Sequence, residues 1–104
     1  MLISTVLLTL AAAAADTRGP LFTSKDYPRE ARKNREEGTV HTRLTIGADG
    51  RVKACEVIGT SNSRSLDHAT CEVMRTRARF IPAMDKDGKP IKAVFTPPPI
   101  AWRL

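Results

Sequence analysis

A chain of 104 residues leaves room for one small domain and little besides. Hydrophobic residues make up 41%, which argues against wholesale disorder; the net charge of +6, from 17 Lys and Arg against 11 Asp and Glu, suits either an anionic partner or simple solubility. Aromatic residues are 5% and are not interleaved with a Lys/Arg run, so no nucleic-acid partner is expected.

Residues 1–15, MLISTVLLTLAAAAA, carry no charged side chain and end in Ala13-Ala14-Ala15. That is the form of a secretory signal peptide with an A-x-A cleavage site, and the run is too short for a relaxed membrane span of ~20 residues. Export with removal of residues 1–15 is therefore expected, an uncleaved membrane anchor being the alternative. Residues 16–25, with Gly19-Pro20, read as a flexible lead-in, and residues 26–104 as the folded domain.

A short helix is expected from Asp26-Tyr27-Pro28, with proline at the first helical position and Glu30 facing the positive end of the dipole. It has little to bury beyond Tyr27 and Ala31, and Gly38 is expected to close it in a left-handed cap. From Gly38 to Gly59 the chain reads as a β-hairpin. Val40, Thr42, Leu44 and Ile46 alternate with polar residues, and Asp49-Gly50 supplies a two-residue turn. Folding back pairs Thr45 with Ala54, Leu44 with Cys55, Arg43 with Glu56 and Thr42 with Val57. In this register Arg43 and Glu56 form an opposite-charge pair on the open face.

Thr60 to Arg64 is a polar loop, and Ser65 is the expected N-cap of a helix over Leu66–Phe80. Leu66, Ala69, Thr70, Val73, Met74 and Phe80 share its apolar arc and Cys71 lies at the rim. Arg77 falls inside that arc, which predicts a bulge or tightening after Met74 before Pro82 ends the helix. Asp85 to Gly88 reads as a turn, since the ligand spacing of a calcium loop is missing. Ile91–Thr96 is extended, Pro97–Pro99 is rigid polyproline, and Ile100–Leu104 alternates as a last strand in which Trp102 packs. Strand directions then favour the order second, first, last, with the last strand an open edge.

No catalytic arrangement emerges. Cys55, Cys71, His41 and His68 lack the spacings of a metal site or of an activated Cys–His pair, so neither enzyme activity, nor a metal, nor a cofactor is expected. Two cysteines in an exported chain are usually paired. The register aims Cys55 at the helical layer that carries Cys71, so a Cys55–Cys71 disulfide is expected, the alternative being two buried thiols.

Tyr27-Pro28, Ala31, Glu37-Gly38-Thr39-Val40, Asp49-Gly50-Arg51-Val52, Leu66-Asp67, Ala69 and Arg79-Phe80-x-Pro82-Ala83, in this order and spacing, resemble the C-terminal domain of the TonB energy-transducer family. The resemblance covers roughly residues 26–104. It implies an α+β fold, a three-stranded antiparallel sheet with two helices packed on one face. It also implies a periplasmic module whose edge strand, here Ile100, Ala101, Trp102, Arg103 and Leu104, captures the N-terminal box peptide of an outer-membrane TonB-dependent receptor. The resembled transducers add a membrane helix and a long Pro-rich spacer, neither of which this sequence contains, so an adaptor-like module is expected. Pairing of the same edge with a second copy, as a homodimer, would compete with peptide. The reading from another class is a structural cell-envelope module holding peptidoglycan or another anionic polymer through its basic surface.

Overall fold

The computed structural model describes residues 21–104; the expected signal peptide and the first half of the lead-in lie outside the described residues. A single 3-10 turn, Ser24–Asp26, precedes helix α1, Arg29–Lys33. Strands β1, Gly38–Ile46, and β2, Val52–Gly59, form the hairpin, and helix α2 follows over Arg64–Arg77. Four short strands complete the chain: β3, Ala83–Met84; β4, Pro90–Ile91; β5, Ala93–Phe95; and β6, Ile100–Trp102.

The hairpin carries the expected register. Thr42 faces Val57, Arg43 faces Glu56, Leu44 faces Cys55 and Thr45 faces Ala54. Arg43 Nη2 lies 2.8 Å from Glu56 Oε1 on the open face. The reason is side-chain parity: Val40, Thr42, Leu44 and Ile46 are all buried, and a slip of one residue would expose the whole set. The turn, however, is not the two-residue Asp49-Gly50 turn. Gly50 N–H donates to the Gly47 carbonyl, so Ala48 and Asp49 are its central residues, and Gly50 follows at φ +82°. A type I turn closed by a left-handed residue suits strands that twist this way. Gly50 is also forced by its surroundings, because a Cβ there would stand 2.1 Å from the Phe80 carbonyl oxygen.

The sheet has four strands rather than three. β1 lies at its centre with β2 on one side; β5 and β6 occupy the other side in succession. β5 pairs with Leu44–Ile46 and β6 with Gly38–Val40, both antiparallel. Pro97–Pro99 separates them, and prolines cannot donate to a ladder. The order second, first, last therefore holds, with the last position divided. β3 and β4 form a separate two-stranded ribbon around the Asp85–Gly88 turn, where Asp85 Oδ1 accepts from the amides of Asp87 and Lys89.

Helical boundaries differ from expectation at four points. Pro28 is the N-cap of α1 rather than its first residue, and the left-handed position after that helix is taken by Arg35, φ 56°, not by Gly38. Gly38 instead opens β1, where Ser61 comes so close that a Cβ would meet it at 2.7 Å. α2 begins after Ser63, whose hydroxyl accepts from Leu66 N–H, rather than after Ser65. It stops at Arg77 without a bulge, and Ala78 turns into extended backbone. Arg77 leaves the apolar arc because its guanidinium reaches across to the Asp26 carboxylate, pinning the 3-10 turn against the end of α2.

The core sits between the sheet and the helices as two adjoining clusters. Tyr27, Ala31, Val40, Leu66 and Trp102 form one; Leu44, Ile46, Val52, Met74 and Ala78 form the other. Burying each large side chain stabilises the fold by roughly 1.5–3 kcal/mol. Cys55 and Cys71 are joined with Cα atoms 5.6 Å apart, which ties β2 covalently to α2.

Candidate peptide-binding edge

β6 is anchored from behind. Trp102 is 5% exposed, and its indole N–H donates to Thr70 Oγ1 at 2.8 Å, while the Thr70 hydroxyl donates to the Leu66 carbonyl. The indole lies edge-on between Phe22 and Tyr27, with ring centroids 5.6 and 5.4 Å away. Edge-to-face pairs of this kind add stabilisation beyond the area they bury. Tyr27 in turn donates its hydroxyl to the Glu36 carbonyl and carries the Arg32 guanidinium over its ring. Burial raises the Tyr27 phenol above its ordinary range, so the hydroxyl stays a donor at neutral pH.

Trp102 thus belongs to the core, and its ring is not a platform for a ligand. Ala101, between Ile100 and the buried Trp102, is exposed, and Ile100 is half-buried against both core clusters. Beyond β6 the last two residues leave the ladder. Arg103 Nη1 donates to the Trp102 carbonyl at 2.9 Å, and Leu104 N–H donates to Glu37 Oε2 at 2.8 Å. Of the five residues expected at the edge, three are strand and two are held by side-chain contacts. Among the described residues no strand pairs with the outer side of β5 or β6.

Of the four residues weighed for chemistry, both cysteines are consumed by the disulfide, so neither sulfur is available as a thiolate nucleophile. His68 is exposed beside them on α2, whereas His41 lies on β1 facing Gly59. Sequence reasoning missed the polar brace under the loop before α2. Asp67 accepts from the hydroxyls of Thr60 and Ser61 and from Ser61 N–H, and Ser63 donates to Glu36 Oε1 at 2.6 Å. Burial pushes the Asp67 carboxyl up, but these donors outweigh it and hold the group below its ordinary value. The signal available was Asp67 in the first turn of a helix preceded by three hydroxyl residues.

The family model described as Gram-negative bacterial TonB protein C-terminal matches residues 23–104. A protein TonB from Helicobacter pylori strain J99 is 33% identical over 78 residues, covering 75% of this chain and 26% of its own length. A protein TonB from Pseudomonas putida is 38% identical over 58 residues, covering 56% of this chain and 24% of its own. The chain spans about a quarter of the length of these curated relatives.

Proposed function

The chain belongs to the TonB C-terminal family, and on that premise we propose that it is a periplasmic, non-catalytic module that captures an outer-membrane receptor's box peptide as an added strand. One observation carries the reading: a short strand, β6, is fixed from behind by a buried tryptophan while its outer side has no strand partner among the described residues. Strand addition asks for that combination. The backbone groups must be held in place before the peptide arrives, or ordering them would offset the hydrogen bonds gained. Ala101 offers no bulk against an incoming strand, and Arg103 stands at the end of the edge, where it would favour a peptide with an acid at that end.

Titration of the isotope-labelled chain with a receptor box peptide tests this. Amide shifts should centre on Ile100–Leu104, and a peptide N-methylated at alternate residues should fail to bind. Ala101→Pro, with helix content unchanged by circular dichroism, should abolish binding as well. If the N-methylated peptide binds as tightly as its parent, strand addition is not the mechanism. If instead sedimentation shows a dimer that peptide cannot dissociate, the edge serves self-association.

A further inference from the structure

The sheet has a second open side. β2 is paired to β1 alone among the described residues, and an open groove with a volume of about 560 Å³ runs between β2 and α2. Its floor is Val57 and the Cys55–Cys71 disulfide. Its helical flank presents Arg64, His68, Cys71 and Arg75, which recur at the three-to-four-residue spacing that lines up one side of a helix. The two arginines stand about 16 Å apart along the axis at 1.5 Å per residue, the span of about five residues of extended peptide.

Charge decides what fits. Arg64 is exposed and enters no ion pair among the described residues. Arg75 meets Glu72 at 3.3 Å through one amino group of an exposed pair, which leaves donors free. The carboxylate in the lining, Asp67, has both oxygens committed to Thr60 and Ser61 and forms no ion pair with either arginine among the described residues. The groove therefore combines an apolar floor, an unpaired strand margin and cationic posts at both ends.

We propose that this groove binds an extended, carboxylate-bearing peptide segment laid alongside β2, with its acids on Arg64 and Arg75 and its apolar side chains over Val57 and the disulfide. The site lies across the sheet from β6 and stands independently of the reading given for that edge. Backbone pairing supplies the strand-like posture, and the arginines select acidic over neutral sequences.

The probe is a capped heptapeptide, Thr-Glu-Val-Glu-Val-Glu-Thr, titrated into the isotope-labelled full chain at low salt. Saturable amide shifts are expected over Cys55–Gly59 and along α2 from Arg64 to Arg75, with β6 undisturbed. Replacing the three glutamates by glutamine should weaken binding about tenfold, the scale of two exposed ion pairs, and so should the double variant Arg64→Ala, Arg75→Ala. Both arginines are exposed, so the variant should keep its fold, and the glutamine peptide checks the charge requirement with the protein unaltered. Shifts confined to Ile100–Leu104, equal affinity for the glutamine peptide, or no saturable shift at millimolar peptide would each overturn the proposal.

Discussion

Thr42 sets a hydroxyl in the middle of an apolar layer. It is 1% exposed, it faces Val57 across the hairpin, and its Oγ1 has no hydrogen-bond partner among the described residues. An orphaned buried hydroxyl costs roughly 1–3 kcal/mol, and valine has nearly the same shape without it. Thr42→Val should accordingly stabilise the fold by about 1 kcal/mol, read as a rise in the urea midpoint at unchanged slope. Asp67 is the opposite case, a carboxylate whose lone pairs are occupied by donors from the preceding loop. Its pKa is lower folded than unfolded, so the stability it contributes is present above the unfolded value near 4. That contribution is lost as pH falls through the folded value. Asp67→Ala should cost about 1.5 kcal/mol at neutral pH and flatten the acid limb of melting temperature against pH. An equally steep acid limb in the variant would assign that limb to other groups, such as Asp26, which the Arg77 guanidinium holds low.

At the scale of elements, the hairpin was legible because its information is local. Period-two alternation fixes which side is buried, and one opposite-charge pair, Arg43 with Glu56, then selects the register. The end of α2 was not legible in the same way. Arg77 sits where an ideal arc would be apolar, and what resolves it is Asp26, 51 residues earlier. The divided last strand was half visible: Pro97–Pro99 marks the break, but the pairing of Ala93–Phe95 with β1 depends on where the chain re-enters the sheet. Across elements the disulfide matters most. It closes a loop of 16 residues between β2 and α2, so breaking it should cost roughly 3 kcal/mol in the chain-entropy picture. Denaturation with and without reductant measures this. A difference under 1 kcal/mol would mean that the reduced chain keeps the hairpin against the helix through packing alone.

For the whole molecule, the arrangement turns on β1, which is enclosed on both sides while the strands flanking it each keep an open margin. One margin, that of the last strand, was foreseen from strand directions alone. The other, beside β2, was not, because its character comes from helix residues that the linear sequence scatters between Arg64 and Arg75. The two margins also differ in kind. β6 is short, broken off by prolines and anchored by an aromatic cluster, whereas β2 is longer and flanked by cations. Ligands for the first should bind with little dependence on salt, and ligands for the second with a steep one.

The sulfur bridge between Cys55 and Cys71 has a mechanical meaning as well. A chain stretched from its two ends cannot pay out the segment between the bridged residues, so about 55 Å of contour, at roughly 3.4 Å for each of the 16 residues, stays withheld from extension. Tension entering at β6 reaches α2 directly through the Trp102–Thr70 contact, and the bridge adds a covalent route by way of β1 and β2. β2 and its covering helix cannot then be drawn apart while the bridge is intact.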